Sequence, residues 1–237
     1  MYNEEGNIEQ VVTSAVAVLS EIADRYEVIV VDDGGRDRTG EIADRLAAAN
    51  PHVRVVHHPV NRGYGAALRS GFEAATLPLV GFVDGDNQFD LGELSILLRA
   101  LAPSRVEGLA PGKVEGLDGV DIVSGYRIRR RDPAFRRLYS FLYNQAGRLL
   151  FGIPIRDVNC AFKIYRREVL DRLVPQLRST GALINVEMLA RARKLGARVT
   201  EVGVHHFPRE AGRQTGGNPA VIVHAFKEML ELWRELR

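Results

Sequence analysis

Glu27-Val28-Ile29-Val30-Val31-Asp32-Asp33-Gly34-Gly35 is the stretch on which the fold turns. Four consecutive β-branched residues read as a short strand buried on both faces, and the Asp-Asp-Gly-Gly after them is turn chemistry. The same grammar recurs in Leu79-Val80-Gly81-Phe82-Val83, which stops at Asp84-Gly85-Asp86. Residues 53–57, 120–125, 161–165 and 198–204 give further strands. Helical periodicity fills 7–23, 39–49, 65–75, 91–101, 183–195 and 219–236, the last opening on Pro219, and an apolar helical stretch ends at Phe151. Strand alternating with helix predicts an α/β fold, a mainly parallel, Rossmann-like sheet flanked by helices. Ligands bind such sheets beyond the carboxyl ends of the strands. Both acidic clusters fall at such ends.

The composition narrows the rest. With 237 residues, 46% hydrophobic and 26% charged, the chain has ample length for a single domain with a buried core and is not disordered. A net charge of +2 argues against a nucleic-acid partner. The bases are nevertheless unusual, because only four are Lys and the rest are Arg. Arginine presents a planar fork that suits phosphate and carboxylate oxygens. Cys160 is the one cysteine, so no intrachain disulfide forms, and a reducing, cytoplasmic compartment is expected. No apolar run approaches the roughly 18 residues of a membrane span, and nothing reads as a signal peptide. Residues 103–119 break the rhythm: Arg105-Val106-Glu107-Gly108-Leu109 returns as Lys113-Val114-Glu115-Gly116-Leu117, which reads as a flexible loop insertion.

Asp84-Gly85-Asp86 is the sharpest chemical signal. Two carboxylates one residue apart at a strand end can share a hard cation, and Gly85 lets a further group approach closely. Taken alone, the same residues also make an ordinary solvated turn. They are accompanied, however, by Tyr2-Asn3-Glu4-Glu5-Gly6 before the first helix, Val30-Val31-Asp32-Asp33-Gly34, and Asn61-Arg62-Gly63-Tyr64-Gly65 before the third. Downstream lie Asp157-Val158-Asn159-Cys160-Ala161-Phe162-Lys163 and Phe207-Pro208-Arg209-Glu210-Ala211-Gly212-Arg213-Gln214. In this order the motifs resemble a family 2 glycosyltransferase of the GT-A fold, and in particular its polyprenyl-phosphate and dolichyl-phosphate mannosyltransferase branch. The resemblance runs over nearly the whole chain.

It implies one GT-A domain over 1–237, with a nucleotide-sugar half at 1–125 and an acceptor half at 126–237. Tyr2, Glu4, Val31 and Asp33 would line the nucleoside pocket, and Gly85 would lie against ribose or diphosphate. Asp84, Asp86 and Gln88 would hold Mg2+ or Mn2+. Arg127, Lys163 and Arg209 would meet phosphates, and the loop carrying Arg209 and Gln214 would close over the donor. Asp32 would be structural. The chain departs from the pattern in three places. The family has a strand before the Tyr2 motif where this chain starts at Met1, so the first family strand is expected to be missing or replaced. Gly35 stands where serine is common, and the insertion at 103–119 is extra.

The implied reaction is inverting transfer of a sugar from a GDP- or UDP-sugar. A hydroxyl acceptor would need a carboxylate base, for which Asp157 and Glu187 are the candidates, with Asp86 also at the reacting centre. A polyprenyl phosphate arrives already anionic and needs none. Arg127, Arg129, Arg130, Arg131, Arg136 and Arg137 crowd eleven positions beside Phe135, Leu138, Phe141, Leu142 and Leu149. That favours the lipid phosphate and a peripheral contact with the inner face of the cell membrane, although the same stretch also suits a core helix with solvated arginines. His57, His58, His205 and His206 have no zinc-ligand spacing and read as loop or core residues. Two rival enzymes fit less well. A phosphohydrolase with Asp84 as nucleophile would leave Asp32-Asp33 idle, and Gly63-Tyr64-Gly65-Ala66-Ala67-Leu68 lacks the last glycine of a dinucleotide loop. A catalytically silent nucleotide-binding remnant is the alternative from another class.

Overall fold

The β-branched run beginning at Val28 forms β1 (Val28–Asp32), which pairs in parallel with β2 (Val53–His57), Val28 opposite Val53 and Asp32 opposite His57. The structure, a computed structural model, describes residues 1–101, 119–128, 134–209 and 219–237, and the side chains of 134–138 and 219–224 are left aside. A second sheet has the order β3-β5-β4-β6, formed by β3 (Leu79–Phe82), β4 (Ile122–Ile128), β5 (Lys163–Arg166) and β6 (Val199–His205). β4 and β6 run parallel from Ile122–Val199 to Ile128–His205, whereas β5 is antiparallel to both of its neighbours. Among the described residues no ladder joins the two sheets. Two ladders are parallel, as the alternation of strand and helix predicts, and the two that β5 makes are antiparallel.

The direction of β5 shapes the site. An antiparallel strand enters the sheet at the end where its neighbours leave it. Lys163, at its start, is therefore opposite Phe82 at the end of β3 and opposite Ser124 in β4. The turn that precedes it, residues 157–162, is carried to the same edge as Asp84.

Helices follow where the periodicity places them: α1 (Ile8–Ile22), α2 (Thr39–Ala49), α3 (Tyr64–Ala74), α4 (Leu94–Leu101), α5 (Ala134–Phe151), α6 (Arg167–Leu173), α7 (Ile184–Lys194) and α8 (Pro219–Leu236). The 91–101 pattern opens as a 3-10 turn, Leu91–Glu93, because the Asp90 carboxylate accepts the Gly92 N–H at 2.9 Å. α6 carries no signal of its own in the sequence and begins directly where β5 ends. The insertion at 103–119 lies, up to residue 118, outside the described residues. Among them no strand precedes α1; Met1 lies beside β1, its ammonium donating to the Val31 carbonyl and its own carbonyl accepting the Asp33 N–H at 2.8 Å.

The largest core cluster fills the space between the second sheet and α5 to α8, with Tyr143, Ile153, Ile155, Tyr165, Leu170, Ile184, Met188 and Met229 almost inaccessible. Each such aliphatic side chain contributes on the order of 1.5–3 kcal/mol through burial. α7 is covered nearly all round, from Ile184 to Ala192. Its polar residues are consequently committed to partners inside the protein. No helix among the described residues is long and apolar enough to cross a membrane.

Candidate active site

The crevice beyond the strand ends is built from two acidic turns. In the first, every carboxylate oxygen is employed. Asp33 is 3% exposed and accepts the N–H groups of Arg62 and Gly63, both at 2.9 Å. Its Oδ1 also lies 2.6 Å from His58 Nδ1, and the other ring nitrogen of His58 sits 2.9 Å from Ser70 Oγ. Asp32 accepts the Gly35 N–H at 3.2 Å and contacts His57 Nδ1 at 3.1 Å. His57 also reaches Asp44 at 2.9 Å, and these two carboxylates raise its pKa above the usual histidine value. The expectation that Asp32 is structural therefore extends to Asp33. Rather than opening toward a nucleoside, Asp33 is turned inward to hold the 61–63 loop.

That loop is pressed against the second half of the chain. Gly63 has φ of +92°, a left-handed conformation that suits glycine, and a Cβ added at Gly65 would fall 2.3 Å from the Ser179 carbonyl oxygen. Gly65 N–H donates to the Thr180 carbonyl at 2.7 Å. The glycines of this motif thus serve close backbone packing.

The second acidic turn is short of donors. Asp84 and Asp86 are partly buried, and among the donors described for Asp86 is its own turn, the Gln88 N–H at 3.2 Å. Burial and the neighbouring Asp86 charge push Asp84 up to about 6. Asp86 is raised too, by burial first and by Glu4 among the charges. Two crowded, incompletely solvated carboxylates are a donor set that a hard divalent cation relieves. Magnesium and manganese typically take one or two carboxylates and complete their shell with water and substrate phosphate oxygens. No group of three His, Cys, Asp or Glu is gathered among the described residues, and Asp84 and Asp86 are the pair that this turn offers a cation. Asn87 takes a left-handed φ of +59° in this turn, which asparagine tolerates.

Arg209 closes one side. Its guanidinium pairs with Glu4 and stands 3.9 Å from Asp86 Oδ2. Glu4 is further held by Asn7 Nδ2 at 2.7 Å. Arg209 reaches this position because residues 206–207 are stitched to the acidic turn: Phe89 bridges His206, Phe207 N–H donates to the Gln88 carbonyl at 2.8 Å, and Gln88 Nε2 donates to the Phe207 carbonyl at 2.9 Å. Gln88, expected as a metal ligand, therefore spends its amide nitrogen on fastening the Arg209 segment. Tyr2 is exposed, Val31 offers its carbonyl to Met1, and Gly85 lies under the Met1 side chain. Gln214 lies outside the described residues.

Four expectations from the second half are corrected. Lys163 is fully buried and cannot meet a phosphate: its Nζ donates to the Val158, Cys160 and Asn185 oxygens, and burial lowers its pKa to about 8. Glu187, a candidate base, is 1% exposed and accepts from Arg178 N–H at 3.1 Å, Ser179 N–H at 2.8 Å and Arg191 Nε at 2.9 Å. It is a core anchor, not a proton acceptor facing the crevice. Asp157, the other candidate, is clasped by Arg127 through Nε at 2.7 Å and Nη2 at 2.8 Å, so Arg127 is committed to a carboxylate as well. No sequence signal marks Asn185, which lies within a helix pattern and accepts from buried Lys163 in the core.

Residues 1–174 match the family described as Glycosyl transferase family 2. The chain is 34% identical over 215 residues to an undecaprenyl-phosphate 4-deoxy-4-formamido-L-arabinose transferase of Pseudomonas fluorescens, spanning 90% of this chain and 57% of that one. It is 35% identical over 210 residues to the glycosyltransferase AglD of Haloferax volcanii, spanning 88% and 32%. It thus covers little more than half, or less, of these relatives' lengths. In fold, it resembles glucosyl-3-phosphoglycerate synthase of Mycobacterium tuberculosis, solved with Mn2+, UDP and phosphoglyceric acid, at a TM-score of 0.72 and 23% identity, over 98% of this chain and 76% of that one. A GT-A sheet with an acidic turn beyond its third strand, carried by a chain matched along its first 174 residues, identifies this protein as a member of glycosyl transferase family 2.

Proposed function

We propose that the protein transfers a sugar from a nucleoside diphosphate donor to a polyprenyl phosphate, with inversion, the donor being held by residues 1–125 and the acceptor by 126–237. The observation that carries the choice of acceptor is the state of the two candidate bases. Asp157 is paired bidentately with Arg127, and Glu187 is saturated in the core. A hydroxyl acceptor would need a carboxylate free to take its proton, whereas a phosphate monoester brings its own anionic oxygen. The bond from the anomeric carbon to the donor diphosphate breaks, the nucleoside diphosphate leaves with the electron pair, and an acceptor phosphate oxygen forms the new bond. The relative from Pseudomonas fluorescens, named for undecaprenyl phosphate, supports the same reading.

Within this reading Asp84 and Asp86 hold Mg2+ or Mn2+, which neutralises charge developing on the leaving diphosphate. Arg209 exchanges Glu4 and Asp86 for phosphate oxygens when the donor enters, and it is positioned for this by the Gln88–Phe207 hydrogen bonds. The exposed side chains of Phe141, Leu142 and Leu149 on α5, just after the arginine-rich residues 127–137, favour a shallow seat on an anionic bilayer. Arg129, Arg130 and Arg131 fall outside the described residues. The test offers undecaprenyl phosphate and the corresponding free alcohol with UDP- and GDP-sugars and Mn2+, reading products by mass spectrometry. Transfer to the phosphate alone, abolished by chelation, is expected; equal transfer to the alcohol would refute the acceptor assignment.

A further inference from the structure

Three helices end at one place: α5 at Phe151, α7 at Lys194 and α8 at Leu236. Between these ends lies a cleft of about 360 Å³, lined by Leu150, Trp233 and Leu236 together with Arg193, Lys194 and Arg237. Sites for small ligands begin at about 300 Å³. The three cations are exposed, and among the described residues none that lines the cleft is acidic. Elsewhere on this surface exposed arginines find carboxylates: Arg38 meets Glu41, Arg45 meets Glu9, Arg54 meets Glu27 and Arg156 meets Glu201. Here Arg193 Nη1 donates to the Phe151 carbonyl at 2.7 Å, and the Arg237 guanidinium lies 5.0 Å from the centre of the Trp233 ring. One such bond serves a helix end; a cluster of three cations leaves positive charge to spare. The cleft also closes an apolar strip. Tyr139 and Tyr143 of α5 pack on Phe226 of α8, and further along both helices Leu150 and Trp233 share the cleft, so the two run side by side in the same direction. The pair leaves Phe141, Leu142, Leu149 and Leu230 exposed, and Leu149, at 84%, directly precedes Leu150.

We propose that this cleft seats the phosphate of an anionic phospholipid, with Arg193, Lys194 and Arg237 around the headgroup and the exposed leucines of α5 and α8 beside its chains. The inference rests on the reading that α5 meets an anionic bilayer, and adds a site to it. A free phosphate ion needs cations alone, whereas the joining of three cations to Trp233, Leu150 and an exposed apolar strip matches a charged head on an apolar tail. Tryptophan suits this place, because its ring settles at headgroup level. Arg136 and Arg137 fall in the first turn of α5, so bases are placed at both ends of the helix, which then lies along the membrane plane.

Trp233 is the chain's one tryptophan, so its fluorescence reports the cleft directly. The full chain is titrated with vesicles of phosphatidylglycerol and phosphatidylcholine carrying brominated acyl chains, with phosphatidylcholine vesicles alone, and with soluble glycerol phosphate. Co-sedimentation measures binding to the same vesicles. Quenching of Trp233 is expected with the anionic vesicles only. The double variant Lys194→Ser, Arg237→Ser removes two cations and keeps the Arg193 bond to Phe151. It is expected to melt as the parent does and to bind anionic vesicles about thirtyfold more weakly. Sedimentation of the parent with anionic vesicles while Trp233 stays unquenched overturns the inference and leaves the α5 contact standing. Parent-like binding by the double variant also overturns it, and so does a Trp233 response to glycerol phosphate without one to vesicles. If the parent does not bind anionic vesicles at all, the inference and the membrane reading fall together.

Discussion

After β1 the chain places Asp32 and Asp33, after β3 it places Asp84 and Asp86, and the two pairs differ in how many donors reach them. Asp33 alone receives two backbone N–H groups and faces a histidine nitrogen. Asp84 is crowded by burial and by a second carboxylate nearby, which push its pKa up to about 6. Backbone donors saturate a carboxylate and turn it into a fastener, holding neighbouring loops at no cost in unsatisfied charge. A carboxylate denied those donors keeps its demand for positive charge and becomes a place where something binds. The letters are the same in both turns; the surrounding N–H groups decide which is which.

The comparison breaks most visibly at Asp86. Asp86→Ala is expected to lower the rate of sugar transfer on the order of a hundredfold or more, since a cation's charge stabilisation is worth several kcal/mol, with the melting temperature little changed. A variant transferring at the parent rate would show that the second turn binds nothing of consequence. Asp33→Ala should do the converse. It strands the N–H groups of Arg62 and Gly63 and one side of His58, and unsatisfied buried groups cost about 1–3 kcal/mol each. A fall of roughly 3 kcal/mol in urea unfolding is expected, and a fall below about 0.5 kcal/mol would mean that Asp33 is free for ligand.

The smallest effect sharpens the same contrast through pH. His57 bridges Asp32 and Asp44, and both hold its proton in the folded state. A histidine whose pKa is raised on folding contributes stability that is fully present below the ordinary value of about 6.5 and lost as pH rises through the higher folded value. The melting-temperature difference between the parent and His57→Asn should therefore be largest in mild acid and shrink toward pH 8. A difference that grows with pH would contradict the bridge.

Much of this was legible in the sequence. The β-branched runs at Val28, Val53 and Leu79 announce strands because nothing else buries such residues so compactly. Asp84-Gly85-Asp86 stands out in the sequence as a candidate site because two carboxylates close together at a strand end repel one another unless a positive charge joins them. The direction of β5 was not, since its pairing of Leu79 with Arg166 and Phe82 with Lys163 joins residues far apart along the chain. α6 was missed because Arg166 passes from strand to helix with no breaker between. Lys163 and Asp157 look free in their motif until partners arrive from elsewhere in the chain: Asn185 lies 22 residues from Lys163 and Arg127 lies 30 from Asp157, and no local pattern points to either. Glu187 looks solvated until the burial of α7 is known.

The burial of Lys163 also gives the protein an internal reporter. An amine-reactive reagent can modify only what solvent reaches, and this amine has no exposed surface while the fold is closed. Its acylation, followed by peptide mapping, would count openings of the core at the strand edge and ignore the breathing of exposed loops. The residue that anchors the crevice thereby times its own exposure.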